Sequence, residues 1–189
     1  MADGEAMPQA KFHAMVEGTQ EDWSAIAQNM AAARGHHADH MLDHLKLLGG
    51  DYGGFAVDRL EHSLQTATRA HQAGKDEEYV VCALFHDMGD LLMPSAHAEL
   101  AALLLKPYVS EQNHWMLEHH AIFQGYYFFH YLGGDRDKRE EYRGHPNFEY
   151  TAQFCHLYDQ NSFDPAFKSM KLEDFEPMVR RVLANRRSA

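Results

Sequence analysis

Apolar residues along this chain recur at the spacing of a helix, glycine or proline closes most runs, and no stretch alternates convincingly at the period of two that a half-buried strand requires. That pattern confines the chain to an all-α fold. Thr19, with Asp22 three residues on, predicts a capped start for a first helix reaching about Ala33. Residues 39–48 read as a second helix, ended by Gly49 and Gly50. The stretch GGDYGGFA then holds four glycines in eight residues, which forbids a regular element and permits backbone to approach a ligand closely. From Val57 to about Ala73, residues Val57, Leu60, Leu64, Ala67 and Ala70 share one face of a third helix that runs to Gly74. A fourth is expected from Glu77 to Met88, stopped by Gly89.

Pro94 and Ser95 introduce a fifth helix starting near Ala96, with Ser95 as its N-cap, which ends before Pro107. Ser110 to Leu132 is the longest pattern, closed by Gly133 and Gly134. DRDKREEYRGHP reads as a charged surface excursion, after which Pro146 suits the first turn of a helix carrying NFEYTAQFCHLYDQ. LEDFEPMVRRVLANRR is a last amphipathic helix, with Pro177 either in its first turn or kinking it.

The 189 residues, 45% of them hydrophobic, suit one compact domain with a real core. A net charge of −11 argues against nucleic acid or an anionic membrane as partner, since both reward a basic patch. No apolar stretch approaches the roughly 18 to 20 residues of a membrane span. MADGEAMPQAKFH lacks the basic start and apolar core of a signal peptide, so a cytoplasmic location is expected. Cys82 and Cys155 sit inside apolar helical runs and read as buried thiols rather than a disulfide.

LFHDMGDLL, residues 84–92, places His86 and Asp87 side by side at the end of an apolar run. A carboxylate there is costly unless something compensates it, and a bound metal is one such compensation. Of fifteen histidines, four lie on otherwise apolar faces: His62, His86, His97 and His120. Asp87 and Asp159 lie on such faces too. Four imidazoles and two carboxylates suit iron, manganese or zinc, one carboxylate being able to bridge two ions. His119 rivals His120, because adjacent helical side chains do not readily face one pocket. His36, His40 and His44 fall at i, i+4 and i+8, a spacing able to chelate a divalent ion, but the polar stretch around them reads as a solvated face.

His62, the pair His86 and Asp87, His97, His120 and Asp159 resemble the HD-domain superfamily, and more narrowly its diiron oxygenase branch. That branch includes myo-inositol oxygenase and the enzyme cleaving 2-amino-1-hydroxyethylphosphonate. The resemblance spans about residues 50–165 and implies a single HD-domain helical bundle, with a helical extension over 1–49 ahead of a core over 50–189. It implies two iron ions in a mixed-valent Fe(II)/Fe(III) state and dioxygen as co-substrate. The basic HD hydrolase pattern needs only H, HD and D; His97 and His120 are what a second metal would add.

Tyr52 stands ten residues before His62, as in the aminophosphonate enzyme, where such a tyrosine holds an iron position until substrate displaces it. By that resemblance Tyr52 and Asp87 take part in catalysis. Where that enzyme has a glutamate after YGG, this chain has Phe55, which suits a quaternary ammonium with no N–H to donate. The resemblance therefore points to 1-hydroxy-2-(trimethylammonio)ethylphosphonate, converted with dioxygen to glycine betaine and phosphate. Asp90, one turn past His86, adds a charge for the cation. Gln124, Tyr126, Arg143, His145 and His156 are candidates for holding the substrate, chiefly its phosphonate end. A metal-dependent phosphohydrolase with nearly the same ligands, and a metal-stabilised module without activity, are the alternatives.

Overall fold

A computed structural model describes residues 7–187, and among them it holds eight α-helices and no strand. The described chain divides into two compact units, one up to Met41 and one from Leu42 on. The first six residues of the expected extension over 1–49 lie outside the described residues. In the first unit, α1 (Gln20–Gly35) starts at Thr19, whose hydroxyl accepts from the Asp22 N–H while the Asp22 carboxylate accepts from the Thr19 N–H. That is the reciprocal cap the sequence predicts. The Asp22 carboxylate also accepts from the Lys11 N–H at 2.8 Å.

The second unit begins within α2 (His37–Lys46) and continues through α3 (Arg59–Gln72), α4 (Glu77–Phe85), α5 (His97–Leu105), α6 (Glu111–Phe128), α7 (Phe148–Phe154) and α8 (Leu172–Ala184). Helix α4 is its axis. All residues from Tyr79 to Phe85 are essentially inaccessible, because α3 covers one side and α8 another. Helix α8 applies Leu172, Phe175, Val179 and Leu183, which share one face at spacings of three and four. Helix α6 packs between α5 and α7. Cys82 and Cys155 are free and buried, and burial pushes both thiols up.

Several boundaries differ from the sequence expectation. Helix α3 starts at Arg59 rather than Val57, because Asp58 caps it, accepting from the Glu61 N–H at 2.8 Å. Helix α4 stops at Phe85, three residues early, and the chain tightens into turns in which the Met88 N–H reaches the Phe85 carbonyl. Ser95 makes no capping bond; a 3-10 turn over Pro94–Ala96 leads into α5 instead. Helix α6 ends at Phe128, with a 3-10 turn carrying the chain to Gly133, whose φ of 80° reverses it. Pro146 precedes α7 rather than entering its first turn. Pro177 lies inside α8, beyond its first turn.

After α7 the winding widens. Cys155–Asp159 form a π turn in which the Gln160 N–H bonds the Cys155 carbonyl at 3.0 Å, one residue further than an α-helix allows. This extra residue turns Tyr158 and Asp159 inward and leaves His156 exposed.

Candidate metal centre

Five segments converge on one buried point: α3 brings His62, the end of α4 brings His86 and Asp87, and the start of α5 brings His97. The middle of α6 brings His120 and the π turn brings Asp159. Among the described residues, the groups of His, Cys, Asp and Glu close enough to hold a metal ion are His62 with His86 and Asp159, His86 with Asp87 and His120, and Asp87 with Asp90 and His97, the candidate ligand atoms of each group lying within 4.8 Å of one another.

The imidazoles share one orientation. His62 Nδ1 faces the Ser162 carbonyl at 2.9 Å, His86 Nδ1 that of Ala83 at 2.9 Å, and His120 Nδ1 that of Leu117 at 2.7 Å. His97 Nδ1 lies 3.2 Å from the Pro94 carbonyl and 3.3 Å from the Asp90 carboxylate. A carbonyl accepts only, so each network assigns the proton to Nδ1 and leaves the Nε2 lone pair for the centre. Such outer bonds are how proteins fix metal-binding histidines.

Asp87 divides these nitrogens into two sets. Its Oδ2 lies 3.3 Å from His62 Nε2 and 3.4 Å from His86 Nε2. Its Oδ1 lies 3.2 Å from His120 Nε2 and 3.4 Å from His97 Nε2. Asp159 Oδ1 completes the first set, 3.3 Å from His62 Nε2 and 3.7 Å from His86 Nε2. One carboxylate thus faces two sets of imidazoles, and the donor types fit metal binding.

Burial opposes a charge on His62, but the Asp159 and Asp87 carboxylates outweigh it and lift its pKa to about 10. Burial also opposes ionisation of Asp87 and Asp159, yet the facing imidazoles hold both well below the usual carboxylate range. The cluster is built to hold positive charge.

A cavity of about 630 Å³ opens onto it, lined by Phe55, Arg59, Asp90, Gln124, Tyr127 and Phe163 among others. Gln124 donates to Asp159 Oδ1 at 3.0 Å, which leaves its buried Oε1 without a partner. Phe55 stacks on Phe163 at 4.7 Å, and Phe163 stacks on the His62 ring at 4.3 Å. Asp90 forms an ion pair with Arg59 at 2.9 Å.

The other candidates lie elsewhere. Tyr52 is 54% exposed and does not line the cavity. Tyr126 lies under the guanidinium groups of Arg136 and Arg139. Arg143 is exposed and engaged by Glu140 and Glu149. His145 stacks on Trp115 at 4.2 Å. His156 faces outward, its Nδ1 3.1 Å from the Tyr127 hydroxyl, because the π turn breaks the three-residue spacing that would set it on the face of Asp159 in an ordinary helix. Of the rivals on α6, His120 enters the cluster while His119 stacks on Trp115 at 4.1 Å. His44 Nε2 is held by the Met88 carbonyl at 3.1 Å, so a backbone contact occupies the third member of the His36, His40, His44 series.

Sequence reasoning missed Arg59 and Phe163. Arg59 stands three residues before His62 on α3, a face-sharing distance that could have found it. Phe163 follows the π turn, and no periodicity marks it. Residues 59–155 match a family model described as HD domain. No curated protein matches the chain.

Proposed function

Since the chain belongs to the HD-domain family, we propose that it is a metal-dependent enzyme with a two-metal centre, acting as a mixed-valent diiron oxygenase on a 1-hydroxyphosphonate. The favoured substrate is (1R)-1-hydroxy-2-(trimethylammonio)ethylphosphonate, which with one dioxygen gives glycine betaine and phosphate. The observation that carries the reading is the division of Asp87, with one oxygen toward His62 and His86 and the other toward His97 and His120. A one-metal site has no use for the second pair.

His62, His86, Asp159 and Asp87 would hold one iron, and His97, His120 and Asp87 the other. When bound, the pair supplies Lewis acidity toward the substrate hydroxyl and the redox chemistry that dioxygen requires. The protein supplies the rest. Backbone carbonyls fix the four rings, and Gln124 steadies Asp159 while its free Oε1 can accept from a substrate hydroxyl. Phe55 and Phe163 give the cavity an aromatic wall suited to a quaternary ammonium. The organophosphonate would be the protein's small-molecule partner.

Iron-reconstituted protein supplied with this hydroxyphosphonate in air should release phosphate and consume dioxygen in equal amounts. Phosphate released from a phosphate monoester without oxygen, in protein loaded with manganese, would instead favour the hydrolase reading. Intact metal with no oxygen uptake rejects the oxygenase.

A further inference from the structure

Arg59 is held both by the glycine-rich loop and by the acids at the edge of the cluster. Its backbone N–H donates to the Asp51 carbonyl at 2.8 Å. Its guanidinium lies 5.0 Å from the centroid of Phe55, against Asp90 at 2.9 Å and within 3.9 Å of Asp87 Oδ2. Gly53, at a φ of +51°, covers it so closely that a Cβ there would come 3.1 Å from Nη2. The glycine-rich loop has therefore folded its backbone onto an arginine.

Around that arginine the cavity is acidic. Asp51, Asp87, Asp90 and Asp159 line it, and among the described lining residues Arg59 alone carries a permanent positive charge. Its side chain is 23% exposed, and its Nε is buried without a partner. A guanidinium presents five donors in a planar fork that matches an oxyanion, and Asp90 and Asp87 meet only one of its nitrogens.

We infer that Arg59 binds the oxyanion of the substrate beside the metal centre, with Asp90 as the counter-ion that holds its guanidinium in place until the anion arrives. The assignment rests on the proposed function in taking that oxyanion to be a phosphonate; a phosphate group offers the same chemistry. It also gives Asp90 a different task from attracting a cation. Arg59 is a binding residue, and its loss acts on affinity before it acts on turnover.

The test uses the full chain loaded with Mn2+ and titrated calorimetrically with inorganic phosphate. Arg59→Met should retain the wild-type metal content and bind phosphate at least tenfold more weakly, with Arg59→Lys in between. Asp90→Asn, which frees the guanidinium, should bind phosphate at least as tightly as the wild type. Unchanged phosphate affinity in Arg59→Met overturns the inference. If that variant fails to fold, wild-type phosphate affinity in Arg59→Lys, or weaker phosphate binding by an Asp90→Asn protein that carries the wild-type metal content, overturns it in its place. With iron and the hydroxyphosphonate, Arg59→Met should raise KM tenfold or more and change kcat little. A wild-type protein inert toward that substrate ends the phosphonate reading, while the phosphate titration still decides Arg59.

Discussion

His62 Nε2 and His86 Nε2 stand 3.1 Å apart, both rings buried, and each ring has already committed its Nδ1 to a backbone carbonyl. Two lone pairs facing each other repel unless a cation lies between them. A proton can serve, and against the cost of burial the Asp159 and Asp87 carboxylates hold the pKa of His62 up to about 10. A divalent metal ion serves better, because it also satisfies Asp87 and Asp159.

Metal stoichiometry should therefore separate the two nests. The reconstituted wild type is expected to carry two ions per chain by elemental analysis. His97→Ala removes a ligand of one position only and should leave one ion. Asp87→Ala removes the shared carboxylate and should leave fewer than one. Chelation of the wild type should lower Tm by several degrees, since an ion present at a hundred times its Kd stabilises by about 2.7 kcal/mol. One ion in both the wild type and His97→Ala would contradict a two-metal centre.

Gly89 lies against the backbone of His97, a ligand of the second proposed metal position. A Cβ at residue 89 would come 2.7 Å from the His97 carbonyl oxygen and 2.8 Å from its Cα. Neither atom belongs to a flexible side chain, so Gly89→Ala must move the start of α5. The cost is roughly 1–3 kcal/mol, in the range of overpacking. The specific expectation is loss of one metal ion with the helical content retained. A Gly89→Ala protein with two ions and wild-type Tm would show that this approach does not matter.

The six residues the structure brings together were legible because each is a polar group on an otherwise apolar helical face. The helices that carry them follow from the same periodicity. What escaped depends on backbone events outside that code. The π turn after α7 redirects Asp159 inward and His156 outward, and a register of three residues presumes an ordinary helix. Arg59 acquires its place from Gly53 and Asp90, each of which meets its guanidinium only in the folded chain. Arg143 suggested an anion site because it is basic, whereas Glu140 and Glu149 already engage it.

Glu78 makes acid stability testable away from the cavity. Its Oε1 accepts from the Ser110 N–H at 2.6 Å and from Asn113 Nδ2 at 2.7 Å, joining the first turn of α4 to the start of α6, and Arg187 pairs with its Oε2. Burial opposes its ionisation, but these donors outweigh it and hold the carboxyl below its ordinary value of 4.5. A carboxyl more acidic when folded than when unfolded adds stability that is present above the unfolded value and is lost as pH falls through the folded one. Glu78→Gln should therefore cost about 1 kcal/mol near pH 7, where the charged hydrogen bonds are intact. Its disadvantage should shrink as the pH is lowered below about 4.5, because the wild type then loses the same charge. Tm of both proteins measured from pH 3 to 7 checks this: the two curves should converge at the acid end, and a constant gap would mean that Glu78 acts through packing rather than charge.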